Sequence, residues 1–110
     1  YGDLDKAYNG LNNEDFKILM THNPSHWNAK VTDAYNDIDL TLSGHTHGLQ
    51  YGIDIGDFRV SPVRLAYKQW ADLYELNKQY IYVNRGFGFM GYPGRVGILP
   101  EITILELKKS

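Results

Sequence analysis

Two histidines one residue apart stand in Leu40-Thr41-Leu42-Ser43-Gly44-His45-Thr46-His47-Gly48, and a third, His22, ends an earlier apolar run. Neutral imidazole is the commonest side-chain ligand of a metal ion, so His22, His45 and His47 read first as nitrogen donors for divalent cations. The i, i+2 spacing of His45 and His47 does not suit one face of a helix, where the useful spacings are three and four residues. On an extended or looped backbone the same spacing points both side chains one way. Gly44 and Gly48 are expected to supply the φ values that a loop wrapped closely round an ion needs. The competing reading is a pair of exposed loop histidines, and the upstream His22 argues against it. With no cysteine in the chain, a thiolate zinc site is excluded.

The elements that must position these residues follow from periodicity. Leu4, Ala7, Tyr8 and Leu11 recur at helical spacing, with Asp3 as a cap and Gly10 as a terminator. A polar connector, Asn12 to Asp15, leads to Phe16-Lys17-Ile18-Leu19-Met20, which reads as a buried strand. Pro24 suits the first turn of a helix, capped by Asn23 or Ser25, whose apolar face is Trp27, Val31, Ala34 and Tyr35. Asn36-Asp37 ends it, and Ile38 to Ser43 is the next strand. Strand, helix, strand makes a βαβ unit with parallel strands, whose carboxyl ends lie at one edge of the sheet. His22 follows the first strand and His45 and His47 follow the second, so all three are expected to meet. His26, at the start of the helix, reads as a surface residue.

Beyond Gly48 the pattern becomes β-like. Strands are expected at Tyr51 to Ile55, Phe58 to Val60, Ala71 to Leu76, Gln79 to Asn84 and Glu101 to Leu107, the last covered on both faces at its start. Asn77-Lys78 is placed to close a hairpin, although it lacks the Asn-Gly signature. Arg85 to Arg95 is a Gly-rich loop. The 110 residues have room for one domain or part of one, and 43% apolar with 22% charged residues is ordinary for a globular chain. A net charge of −2 and no basic cluster longer than Lys108-Lys109 give no nucleic-acid-binding signature. No apolar run approaches the length of a transmembrane helix.

Thr21-His22-Asn23-Pro24 after one strand and Gly44-His45-Thr46-His47-Gly48 after the next resemble the calcineurin-like metallophosphoesterases. Tyr82-Val83-Asn84-Arg85-Gly86-Phe87-Gly88 and Pro100-Glu101-Ile102-Thr103 look like a bacterial branch of that family, often membrane-associated. One departure is Leu49, where the branch usually has a second Gly before Gln50. The resemblance implies an α/β fold: the C-terminal half of a four-layer α/β/β/α sandwich, with residues 1–110 as one partial domain. It implies hydrolysis of a phosphoester substrate assisted by two divalent ions, Mn, Zn or Fe. By position, His22 and His45 match ligands of the second metal and His47 a ligand of the first. Arg85 and Arg95 are the candidates for touching a substrate phosphate, against a favoured plainer reading as surface arginines. The family's D-x-H, G-D-x-x-D and G-N-H-[DE] motifs are not in this sequence and are expected upstream of Tyr1, as is any membrane attachment. This chain alone is therefore expected to be inactive. The alternative is a non-catalytic module that binds at most one ion weakly. Substrate identity and oligomeric state are not legible.

Overall fold

A computed structural model describes residues 3–47, 53–55, 58–60, 69–88 and 93–109, with backbone only for the two short segments in the middle. The expectations placed on Gly48, Leu49, Gln50, Tyr51 and the tip of the Gly-rich loop at 89–92 lie outside the described residues.

Helix α1 (Leu4–Tyr8) starts where Asp3 accepts a hydrogen bond from the Lys6 amide, and it is followed by Gly10 at φ +83°. Leu4 and Tyr8 pack against the main core. Strand β1 (Ile18–Thr21) and strand β2 (Leu40–Ser43) pair in parallel, with Ile18 opposite Leu40 and Thr21 opposite Ser43. The βαβ reading therefore holds. Before the ladder begins, the Lys17 carbonyl accepts from the Asp39 and Leu40 amides, and Asp39 accepts from the Lys17 amide at 2.7 Å.

The connecting helix is less regular than its sequence implies. Asn23 is the cap: its side chain accepts from the Ser25 amide at 2.9 Å, and its carbonyl accepts from His26. From Trp27 to Val31 the backbone is a π turn, closed by the Thr32 amide donating to the Trp27 carbonyl, before helix α2 (Thr32–Ala34). A π turn carries more residues per revolution than an α turn, so residues beyond it rotate off the face that an α-helical count assigns. Trp27 and Val31 are buried and Tyr35 is partly buried, but Ala34 is exposed.

Strand β3 (Ile53–Ile55) and strand β4 (Phe58–Val60) form a separate antiparallel pair. Strands β5 (Asp72–Leu76) and β6 (Gln79–Val83) form the expected hairpin. Asn77 and Lys78 both take positive φ, +50° and +64°, as a two-residue primed turn requires. Beyond its antiparallel partner, β6 pairs in parallel with β2, giving a mixed four-stranded sheet in the order β1-β2-β6-β5. Gln79 is buried and donates from its amide to the carbonyls of Tyr35 and Ile38, fixing the hairpin to the end of the connecting helix.

One face of the sheet makes the core: Ile81 and Val83 pack with Trp27, Val31 and Ile38, with Leu19 and Tyr74 alongside. Each such side chain contributes roughly 1.5–3 kcal/mol when fully buried. On the other face Ile18, Met20, Leu73 and Tyr80 are exposed, so β1 is not the buried strand that its composition implies. Residues 101–107 are also not a strand. They run extended without a ladder, with Ile102 and Ile104 exposed rather than covered on both sides. Alternating side chains report which side of a segment faces the protein, but a ladder also needs a partner strand.

Candidate active site

Parallel pairing ends at Thr21 and Ser43, and the histidines come next. The His22 carbonyl accepts from the Gly44 amide at 3.3 Å and from the Ser43 hydroxyl at 3.1 Å, so the two strand ends are fastened together. His45 Nδ1 then stands 2.9 Å from His22 Nε2, with the rings edge to face. The proton between them belongs to one ring or the other according to tautomer. Two nitrogens bound to one ion at about 2.0–2.1 Å and at right angles are also about 2.9 Å apart, so this spacing suits a shared ion as well as a hydrogen bond. A cleft of about 440 Å³ opens beside His22, lined by Thr21, Asn23, His26 and Lys30 among others, and leaves His22 reachable. His26 is exposed, and its Nδ1 lies 3.1 Å from the Thr21 hydroxyl.

The loop bends in a way its glycines do not announce. The positive φ values fall on His45 (+71°) and His47 (+49°), whereas Gly44 shows none. Histidine is among the non-glycine residues enriched in that region, and strain of this kind collects at functional sites. Thr46, between them, is buried. Its amide donates to the Gly44 carbonyl at 2.8 Å and its hydroxyl to the Trp70 carbonyl at 2.7 Å. The turned backbone defeats the simple i, i+2 expectation: His45 reaches His22, while His47 enters the Gly-rich loop.

There the His47 ring lies under Gly86 and Gly88. A Cβ on Gly86 would stand 3.9 Å from its Nδ1, and one on Gly88 would stand 3.9 Å from its Cε1. His47 Nδ1 is buried and, among the described residues, has no hydrogen-bond partner. Burial lowers the His47 pKa from its ordinary value, helped by the positive charge of Arg95 and by His22 and His45. A neutral imidazole with an orphaned ring nitrogen is the form that ligates a metal. The donors therefore fit borderline divalent ions such as Zn, Mn or Fe. Among the described residues, however, no three His, Cys, Asp or Glu side chains converge on one point.

The Gly-rich loop is itself tied down. The Asn84 amide donates to the Ser43 carbonyl at 2.8 Å, extending the β2–β6 pairing by one residue. The Asn84 side chain accepts from the Gly86 amide and donates to the Thr103 hydroxyl at 2.9 Å. Glu101 accepts from the Arg85 amide at 3.1 Å and from Arg85 Nε at 3.0 Å, and it also receives the Tyr82 and Thr103 hydroxyls. Arg85 and Glu101 side chains are 12% and 10% exposed, a partly buried ion pair. Arg95 donates to the carbonyls of Arg85 (2.8 Å), Gly88 (3.0 Å), His47 (3.4 Å) and Leu99 (3.5 Å). Both arginines are therefore engaged inside the loop. Thr46, Asn84 and Glu101 are site-building residues that the sequence reading missed. The one available signal was their place beside the two motifs.

No family model matches the chain, and no solved structure matches it. Relatives of known sequence do. The chain is 35% identical over 109 residues to the uncharacterized metallophosphoesterase YkuE of Bacillus subtilis, covering 98% of this chain and 36% of the relative. It is 34% identical over 110 residues to the transmembrane protein with metallophosphoesterase domain of Danio rerio, covering 98% of this chain and 24% of that protein. It is 33% identical over 91 residues to phosphodiesterase YaeI of Escherichia coli, covering 83% of this chain and 32% of that protein. The likeness is thus not confined to bacteria, as the branch resemblance implied. Among the described residues no helix is long and apolar enough to cross a membrane. The chain spans about a quarter to a third of the length of these relatives, and over nearly all of its own length it belongs with the calcineurin-like metallophosphoesterases.

Proposed function

We propose that this chain carries the C-terminal metal-ligand histidines of a divalent-metal-dependent phosphoester hydrolase, within one partial domain spanning residues 1–110. The single observation that carries the reading is the arrangement of the histidines. His22 and His45 touch at 2.9 Å, while His47, whose Nδ1 has no partner among the described residues, is turned away into its own niche. That division supports a two-ion site in which His22 and His45 serve one ion and His47 the other. The remaining ligands would come from the part of the relatives' length that this chain does not span. When bound, the ions supply Lewis acidity and a lowered water pKa for hydrolysis at phosphorus. The residues of this chain hold, orient and enclose. Ser43 and Gly44 fix His22, Thr46 anchors the histidine loop, and Gly86 and Gly88 leave room for the His47 ring. A phosphate contact from Arg85 or Arg95 would need each to share donors now given to Glu101 and to loop carbonyls.

The exposed face bearing Ile18, Met20 and Leu73 supports the four-layer sandwich, because a second sheet would cover it. The vertebrate relatives are named as transmembrane proteins with a metallophosphoesterase domain, which supports membrane attachment of the longer protein. The absence of a three-ligand cluster among the described residues favours the second reading, a non-catalytic module holding at most one ion. Elemental analysis and turnover of model phosphate mono- and diesters by the longer protein decide between them. Two ions per chain, with His47→Ala and His45→Ala each losing at least about 100-fold in activity, fit the hydrolase, since even partners of a ligand cost 10–100-fold. One ion or none, with no turnover under Mn, Zn or Fe, would end that reading.

A further inference from the structure

Resting on that reading, we infer that Arg95 is a positioning residue for His47: its guanidinium fastens the histidine loop to the Gly-rich loop. The geometry is that of a strut inside the loop cluster. One guanidinium spans three stretches of chain beyond the last β2–β6 pairing, donating to carbonyls of the histidine loop (His47), the Gly-rich loop (Arg85 and Gly88) and its own segment (Leu99). Gly88, which receives both Nε and Nη2, is one of the two glycines roofing the His47 ring. Three residues on, Ile98 is fully buried against Trp70 and Ala71, and the Trp70 carbonyl receives the Thr46 hydroxyl. The segment from Arg95 to Ile98 thus grips the histidine loop from both sides of Thr46. On the far side of the Gly-rich loop, Glu101 holds Arg85 by its amide and its guanidinium. Withdrawing the Arg95 guanidinium would leave the His47, Arg85 and Gly88 carbonyls to find other donors, and the niche around His47 would open. Lysine cannot take over, because a single ammonium does not present the planar fork that reaches several carbonyls at once.

The test uses the full-length protein, stripped of metal by chelation, at pH about 8 where imidazoles are neutral. Modification by diethyl pyrocarbonate is followed for each histidine by mass spectrometry in wild type, Arg95→Ala and Arg95→Lys. His47 should react about tenfold faster in Arg95→Ala, as expected when hydrogen bonds from a charged donor are lost. His22 and His26 should keep their rates, and Arg95→Lys should show most of the same increase. Arg95→Lys carries the test alone if the alanine variant does not fold. An unchanged His47 rate would overturn the inference. So would equal acceleration of all the histidines, which would make Arg95 a general stabiliser, or an increased KM for a phosphoester as the only change, which would make it a substrate contact. Mn²⁺ binding to wild type, measured in parallel, tests the metal reading separately. A protein that takes up no ion defeats that reading while the modification rates still decide the role of Arg95.

Discussion

The two sides of the site are built by different means. On one side, His22 and His45 meet because two parallel strands end in register, and backbone pairing between neighbouring elements does the work. On the other, His47 is enclosed by a Gly-rich loop held by side chains from residues up to 54 positions further along, Arg95 and Glu101 foremost. Regular pairing is insensitive to most single side chains. A clasp of partly buried charges is not, so damage should concentrate on the His47 side.

The largest expected effect is at Glu101. Glu101→Ala leaves the partly buried Arg85 guanidinium without its carboxylate; a fully buried pair broken from one side costs about 3–5 kcal/mol, so about 2–3 kcal/mol is expected for this less deeply buried one. Chemical unfolding would measure the loss, and NMR should show the His47 and Gly86 signals moving while those of His22 stay. Acid makes a gentler version of the same cut. Burial alone would raise the Glu101 pKa, but hydrogen bonds from Thr103, Tyr82 and Arg85 outweigh it and hold it below the ordinary 4.5. A carboxylate lowered in the folded state contributes stability that is present above its unfolded value and lost as pH falls through the folded one. Stability is therefore expected to decline below pH 4.5, and Glu101→Gln should flatten that part of a stability-against-pH curve.

Next come the two glycines over the ring. Gly86 has φ +69°, so Gly86→Ala should cost about 1–2 kcal/mol for the left-handed backbone, although the added carbon meets His47 at an ordinary distance. Gly88 has comparable space and no positive φ, so Gly88→Ala should fall within about 0.5 kcal/mol of wild type. Equal costs would show that space, not backbone conformation, governs this roof. The smallest effect belongs to the strand side. Ser43→Ala removes one hydrogen bond to the His22 carbonyl, which keeps the Gly44 amide, so about 1 kcal/mol or less is expected from thermal unfolding.

The same division explains what could be read in the sequence. Local signals were legible: Asp3 and Asn23 as caps, the βαβ unit, and a turn at Asn77-Lys78 despite its unusual residues. They rest on periodicity and on residues close in the chain. The π turn at Trp27–Val31 left no mark, because one extra residue per turn changes no composition, and it moved Ala34 off the core face. Residues 101–107 were misread because apolar composition alone does not make a ladder: among the described residues they pair with no strand, and Ile102, Ile104 and Leu107 are exposed. The clasp was hidden for a different reason. A guanidinium that serves backbone carbonyls has no preferred sequence partner, so Arg95 read as a surface arginine or, less readily, a phosphate contact. The left-handed histidines were hidden too, since neighbouring glycines seemed to offer the flexibility.

Strand β1 carries a consequence of a different kind. It lies at the end of the sheet order among the described residues, and Ile18 (47% exposed) and Met20 (82% exposed) lie open on its outer face. Open, apolar edges are templates for strand addition, and natural chains blunt them with charge, proline or a covering element. Among the described residues this edge carries none of those between Ile18 and Thr21. Produced by itself, the chain would be limited by self-association along β1 before any question of catalysis arose, and a charged residue in place of Met20 is the economical remedy.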